Sequence, residues 1–336
     1  MRPSPAAALA RCLGLCLGLC LTLCLAACAS TDPVPPADPA PPARARDSTG
    51  FPPLTSLLLS ARFCDPPKIQ DAEQQDRLLR FAAIVREELE SSGEEVALIS
   101  RTGINLQRFG VRFSHSGVVL KRGGEVPWSV RQLYYACDEG RPRLYDQGVG
   151  GFLLGTDEPA VGHISIVLLP PEAARQLQRA ALDRQRALRL LASQYSANAY
   201  PFSPRYQNCN QWVVELLATA WGDLADGDDL RERAQAWLAA NDYRPPPVII
   251  DSHWVKFAAS FMPLVHLDDH PEDDRYGMAL LITMPAAIED FARQRLPDAK
   301  RIELCHDERQ VVIRQGWQAI ADGCGAAEGD RVVALD

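Results

Sequence analysis

Hydrophobic positions along the chain change period several times, and each change predicts an element. Over residues 71–89, Leu78, Leu79, Ala82, Val85 and Leu89 fall on one helical stripe, which predicts an amphipathic helix. Residues 96–100 form a short apolar run. Residues 111–120 alternate as a half-buried strand does, 128–135 predict a second such strand, and 163–169 are almost continuously apolar. Pro171 suits the first turn of a helix running to residue 191. A loop rich in Tyr, Ser, Asn and Pro then leads into a run in which Trp212, Val213, Leu216, Leu217 and Ala220 recur with helical spacing. A further helix covers 229–240. After Pro245-Pro246-Pro247 the texture changes: 248–250 and 278–283 predict strands, 285–295 a helix, and 301–336 short strands. The mixture predicts an α+β fold in which an antiparallel sheet packs against helices, with a main domain over 50–247 and a C-terminal extension over 248–336 packed on it.

The first residues belong to a different regime. Arg2 and Arg11 flank an apolar stretch, 13–27, too short for a comfortable membrane span. It ends Leu25-Ala26-Ala27-Cys28, which resembles a bacterial lipobox. The resemblance implies a signal peptide over 1–27, lipidation of Cys28 and attachment to a membrane; Ala29 rather than Asp at the next position implies the outer one. A plain secretory signal cleaved before Ala29 would keep the compartment and lose only the anchor. Residues 28–49 carry Pro33, Pro35, Pro36, Pro39, Pro41 and Pro42 and predict an extended tether, with a reach of roughly 50 Å at about 3.1 Å per residue. The expected location is the cell envelope, facing the periplasm or the cell surface.

Hydrophobic residues make up 47% of the chain and charged residues 23%, as in ordinary globular proteins. A net charge of -8 with no Lys/Arg cluster argues against nucleic acid as a partner. No cofactor is expected. Residues 266–274 contain histidines and carboxylates, which are metal-ligand types, but Pro271 interrupts any helical presentation; the run reads as a solvated acidic loop, and no metal is expected. His253 and Trp254 read as packed residues. The domain beyond the tether holds Cys64, Cys137, Cys209, Cys305 and Cys324, an odd number in an oxidising compartment. Cys305 and Cys324 flank a hairpin-like stretch and form the expected local pair; Cys64 and Cys137, each just before a polar turn, form the other. Cys209 is then left free.

Cys209 opens the helix that follows Asn208, where unpaired backbone N–H groups and the helix dipole favour thiolate over thiol. If Gly123-Gly124 form a two-residue hairpin turn, His115 falls opposite Gln132, with Phe113 facing Tyr134, Gly117 facing Val130 and Val119 facing Trp128. Pro127 is awkward in that second strand and points to an edge strand or a longer turn. In this reading His115 is the base, Gln132 fixes its ring, and the backbone N–H of Cys209 donates to an oxyanion, with Gln207, Tyr206 or Asn210 as the second donor. Ser129 and Glu125 are weaker substitutes for Gln132, and His163 is a rival base.

The segments Ser114-His115-Ser116-Gly117-Val118-Val119-Leu120 and Asn208-Cys209-Asn210-Gln211-Trp212-Val213 resemble the circularly permuted papain-like hydrolases, among them lecithin:retinol acyltransferase relatives and permuted, NlpC-like cell-wall peptidases. The resemblance implies a permuted papain-like domain with Cys209 as nucleophile, His115 as base and Gln132 as third polar residue. Glutamine departs from the His, Asn or acid that many of these enzymes carry there. Residues 58–249 also resemble bacterial domain of unknown function family 2145, through Val130-Arg131-Gln132-Leu133-Tyr134 and Tyr206-Gln207-Asn208-Cys209-Asn210-Gln211-Trp212. The implied chemistry is hydrolysis or acyl transfer at an amide or ester through a thioester on Cys209. The implied substrates are envelope material: a peptidoglycan peptide, a lipid or an acylated protein. The competing expectation is a non-catalytic envelope lipoprotein that binds a ligand or partner in the same cleft.

Overall fold

The computed structural model describes residues 70–121, 128–137 and 139–335. The leader, Cys28, the tether, Cys64, the Gly123-Gly124 turn and Glu125 lie outside them. An eight-stranded antiparallel sheet dominates. Its strands are β1 (Val96–Arg101), β2 (His115–Lys121), β3 (Trp128–Ala136), β4 (Arg141–Gly148), β5 (Gly162–Leu168), β8 (Lys300–His306), β9 (Gln310–Gln315) and β10 (Arg331–Ala334). The order is β10-β9-β8-β5-β1-β2-β3-β4, and β6 (Pro247–Ile249) pairs with β7 (Ala279–Leu281) in a small second sheet. Central β1 is buried along its whole length, as its apolar run predicts.

Two features differ from the sequence reading. The residues after 248 do not form a separate layer: β8 pairs with β5 over seven residues, so the C-terminal strands prolong the main sheet. And β4 escapes the hydrophobic pattern altogether. It is the edge strand, largely polar and exposed, and holds its place through an eight-residue register with β3. At an edge, Pro142 is tolerated because the ladder requires no outward N–H there.

Helices cover both faces. On one lie α1 (Ala72–Ser91), with a capping box between Asp71 and Gln74, and α2 (Val149–Leu153). They enclose a core containing Phe81, Val85, Ile99, Val119, Val130, Phe152 and Ile166. On the other lie α3 (Pro171–Leu182), α4 (Arg184–Arg189), α5 (Cys209–Trp221), α6 (Leu230–Ala240) and α9 (Pro285–Arg295). They pack with Val96, Leu98, Val118, Leu120, Leu133 and Val167 of the sheet. The single helix expected over 171–191 breaks in two because Asp183 starts a new one, its Oδ1 accepting from the N–H groups of Gln185 and Arg186.

All of α5 except Trp221 is buried, so it is a central helix rather than an amphipathic surface one. The remaining short helices, α7 (His253–Ala259) and α8 (Glu272–Tyr276), flank the small sheet. Here the packing expected of His253 and Trp254 fails: both are exposed, and Trp254, Phe257 and Phe261 form an outward ridge, with ring centroids 6.0 and 5.0 Å apart.

Candidate active site

Cys209 occupies the first turn of α5, and the residue before it sets the helix start. Asn208 is extended, and its Oδ1 accepts from the Gln211 N–H at 2.7 Å, while its Nδ2 donates to the Ala197 and Thr283 carbonyls. Cys209 is the free cysteine among the described residues, and it is buried. Its sulfur lies 4.0 Å from the Ser114 carbonyl. The backbone N–H groups of Asn210 and Cys209 and the Tyr195 hydroxyl act on it as donors that favour its charged form. The expectation of an acidified thiol is overturned here. Burial pushes it up to about 11, against the pull of the Arg101 charge and of those donors. The helix-end donors are in place, but taking a thiolate out of water outweighs them.

His115 begins β2. Its Nε2 lies 2.6 Å from Gln132 Oε1, and Gln132 Nε2 donates to Gln147 Oε1 at 2.6 Å. The second bond orients the amide, so the oxygen faces the ring and the ring donates through Nε2. The basic lone pair then sits on Nδ1, which has no hydrogen-bond partner among the described residues. Burial, together with repulsion from Arg101, lowers the His115 pKa to about 3, against the opposing effect of the Gln132 bond. The register differs from the hairpin expectation by two residues: Val119 pairs with Val130, not Trp128. Continued along the strands, Gly117 then faces Gln132. A shift of two keeps every side chain on its face, so His115 and Gln132 still meet, as a diagonal pair. Gly117 permits this: a Cβ there would lie 2.7 Å from Val130 Cγ1 and 2.9 Å from the Arg131 carbonyl.

The thiol and the imidazole reach this region from opposite faces of the sheet. His115 alternates with Val119 and faces the α1 side, whereas Ser116 faces α5, its Oγ donating to Asn210 Oδ1 at 2.9 Å. Cys209 belongs to the α5-side core. The sulfur meets the backbone just before β2, at the Ser114 carbonyl, to which Asn210 Nδ2 also donates at 3.1 Å. No hydrogen bond joins the sulfur to the ring among the described contacts. What they share is an electrostatic environment: the Arg101 charge acts on both.

The three side chains expected as second oxyanion donor are otherwise engaged. Gln207 Nε2 donates to the Leu190 carbonyl and to Glu215, and its Oε1 accepts from Ala192. Tyr206 stacks on His266 and hydrogen-bonds Asp268 at 3.3 Å. Asn210 clamps α5 to β2, as described. The hydroxyl at the sulfur is instead that of Tyr195, from the loop before α5. The rival base His163 is held by Glu303 and by Cys305 Sγ, each at 3.3 Å. Ser129, three residues from Gln132, points to the other face of β3.

The acidic run is solvated at Asp268, Glu272 and Asp273, as expected, but folds around buried residues. His270 is buried and bonded to Asp274 and to the Asn198 carbonyl, and Asp269 accepts from the Tyr200 N–H. Among the described residues no group of three or more His, Cys, Asp and Glu could hold a metal. Cys305 and Cys324 are joined. Cys137 is also disulfide-bonded, while Cys64, its expected partner, lies outside the described residues. A cavity of about 360 Å³, lined by Ile250, Val255, Val265, Leu267 and Leu280 among others, contains none of Cys209, His115 and Gln132. Its wall is tied to the loop before α5, since the N–H of His266, which also lines it, donates to Ser196 Oγ and Asn198 Oδ1.

Sequence reasoning missed Arg101, Tyr134 and Tyr195. The signal for Arg101 was a charged residue closing an otherwise apolar strand; nothing in the spacing distinguished Tyr195 within its tyrosine-rich loop. Comparison with known proteins gives one finding. A family model described as "Uncharacterized protein conserved in bacteria (DUF2145)" matches residues 88–292, so the matched segment runs past 247 to α9. No curated protein and no solved structure matches the chain.

Proposed function

The chain belongs to this bacterial family, and we propose that it is a papain-like cysteine hydrolase or acyltransferase acting on an amide or ester of envelope material. The observation that supports this reading most is the set of donors gathered at the free thiol: two backbone N–H groups and the Tyr195 hydroxyl around Cys209. An imidazole oriented through Nε2 by Gln132 adds to it.

In the proposed reaction the Cys209 sulfur bonds to the substrate carbonyl carbon, and its proton passes to His115 Nδ1. The carbonyl π pair moves onto oxygen, where the Cys209 N–H and the Tyr195 hydroxyl receive it. Collapse restores the carbonyl and expels the amine or alcohol, which takes the proton from His115. Water then resolves the thioester in hydrolysis; an acceptor hydroxyl or amine resolves it in transfer. At rest the thiol and imidazole are both neutral, and substrate must bring the ring onto the sulfur. Apo sites commonly hold such groups apart. A lipid anchor at Cys28, an outer-membrane location and a peptidoglycan peptide, lipid or acylated protein as substrate are part of this proposal.

One observation favours a second reading. A thiol raised to about 11, with no bond to an imidazole, also fits a non-catalytic lipoprotein that binds a ligand or partner beside α5. The test uses the full-length protein and its Cys209→Ala variant against purified muropeptides, phospholipid and an acylated peptide, followed by mass spectrometry. The hydrolase reading expects turnover of one class by wild type, none by the variant, and a hydroxylamine-sensitive adduct on Cys209. Identical traces from the two proteins across all three classes would leave the binding reading.

A further inference from the structure

Arg101 is a buried cation with little compensation among the described residues. It closes β1, is 3% exposed, and makes no ion pair among the described residues. Its Nη1 donates to the Gly155 and Thr102 carbonyls, and its Nη2 donates to the Tyr134 hydroxyl at 2.5 Å. Its Nε has no partner. The other deeply buried arginines are handled differently: Arg231 has Glu215, and Arg301 has Glu289 and Glu303. Burying a cation against neutral dipoles alone is expensive unless an anion forms nearby.

The surroundings of Arg101 say where that anion forms. Arg101 is the β-ladder partner of His115. Tyr134, which holds its guanidinium, lies against the His115 ring with centroids 4.8 Å apart. Phe152 packs under the guanidinium carbon at 5.3 Å. Gly155 leaves no room for another group, since a Cβ there would sit 2.6 Å from Nη2. The cavity that Arg101 lines on its other side is about 10 Å³, enough for one water at most. Among the described residues, Tyr134, Phe152 and the Gly155 backbone enclose the guanidinium. The groups facing the Cys209 sulfur electrostatically are Arg101 and Tyr195, with Tyr134 facing Tyr195 in turn.

We propose that Arg101 is the positioning charge of the site: a guanidinium held without a carboxylate among the described residues, so that negative charge on the Cys209 sulfur, and on the oxyanion that follows, is its counter-ion. The inference rests on the thiol reading above, and it explains how a buried thiol can ionise at all. Burial first, and the same charge second, keep His115 neutral at rest.

The test reads sulfur charge directly and needs no substrate. The full-length protein is treated with methyl methanethiosulfonate under native conditions from pH 7 to 10, and labelling of Cys209 is followed by mass spectrometry, with near-UV circular dichroism as the folding control. An opposite charge at short range shifts a pKa by about 1–3 units. Arg101→Met is therefore expected to slow labelling at fixed pH about 10-fold or more. Arg101→Lys, which keeps the charge and loses the fork, is expected to stay within a few-fold of wild type. Where Arg101→Met folds poorly, Tyr134→Phe replaces it, since it removes one guanidinium contact and keeps the charge; near-wild-type labelling supports the proposal and collapse overturns it. Overlapping profiles for folded Arg101→Met and wild type overturn it, as does Arg101→Lys behaving like Arg101→Met. Complete absence of labelling in native wild type also overturns it, because no anion then forms for Arg101 to meet. Inactivity of the protein toward every substrate class would sink the hydrolase reading while leaving these labelling rates interpretable.

Discussion

Two buried arginines, Arg231 and Arg101, are about equally hidden from solvent, at 6% and 3% exposure, and they serve opposite ends. Arg231 makes a two-pronged pair with Glu215, at 2.9 and 3.0 Å, and donates to the Pro204 and Tyr206 carbonyls. Gln207, Gln211 and Gln235 complete the Glu215 oxygens. Every charged group in that cluster is answered, although Gln211 Oε1 has no partner among the described residues. The result is a rigid block beneath the first turns of α5, which fixes the loop that delivers Tyr195 and Asn208. Among the described residues Arg101 has only neutral partners and an unanswered Nε. The contrast teaches that burial alone does not identify function: one polar cluster is closed and holds the scaffold, while the other is left open by one charge at the place where chemistry would create the missing one.

The largest effect expected from this contrast is on stability. Glu215→Ala leaves Arg231 buried without a counter-ion and should cost about 3–5 kcal/mol in urea unfolding. Arg101→Met should cost much less, because it removes a charge that was never compensated, and the loss is confined to the Gly155, Thr102 and Tyr134 contacts. Equal losses in the two variants would erase the distinction between closed and open clusters.

Next comes an effect confined to activity. Tyr195→Phe removes one donor from the sulfur. With the Cys209 N–H left as the oxyanion donor, turnover should fall about 10²–10³-fold. Stability should shift by no more than about 1 kcal/mol, the usual worth of one hydrogen bond. A Tyr195→Phe enzyme with unchanged kcat would return the donor role to another group. The reverse outcome, a large stability loss with activity per folded molecule intact, would place Tyr195 with the scaffold instead.

How much of this was legible beforehand follows from the kind of information each feature needs. The helix start at Cys209 was readable because Asn208 caps locally and the apolar period resumes at once. The adjacency of His115 and Gln132 was readable even though the register was off by two, because strand alternation protects the face when the shift is even. β4 was not readable: an edge strand that buries little carries no hydrophobic alternation, and only its partner β3 reveals it. The joining of residues 300–334 to the main sheet was equally hidden, since strand order is decided by pairing across more than a hundred residues. The open charge at Arg101 was hidden for a sharper reason. Whether an arginine has a counter-ion is a property of three-dimensional absence, and no spacing encodes it. The thiol pKa was misjudged on the same ground, because burial depth, which decides it, is not local to the helix start.

The smallest expected effect concerns acid, and it probes the open side of the comparison. His115 has its pKa lowered to about 3 by burial and by Arg101, and His306, against Phe81, has its own lowered to about 4, chiefly by burial. An unfolded histidine titrates near 6.5. Between that value and the folded one, the unfolded chain holds a proton that the native chain refuses, so stability falls as pH drops through this window and is flat above it. At pH 5 each histidine should remove about 2 kcal/mol relative to pH 8. Urea unfolding of His115→Gln at the two pH values should therefore show a pH-dependent loss smaller than wild type by about that amount. In Arg101→Met the repulsion is gone but burial, the larger cause, still holds the His115 pKa down, so the window closes at a higher pH and the loss between pH 8 and pH 3 shrinks. Arg231 lies in the closed cluster and is absent from the groups that act on His115, so Arg231→Met, compared at the same two pH values, should keep the wild-type acid dependence whatever its overall stability. If the two arginine variants changed the acid limb alike, Arg101 would have no special hold on the imidazole, and the distinction between a charge that builds the fold and a charge kept for the site would fail at its most direct point.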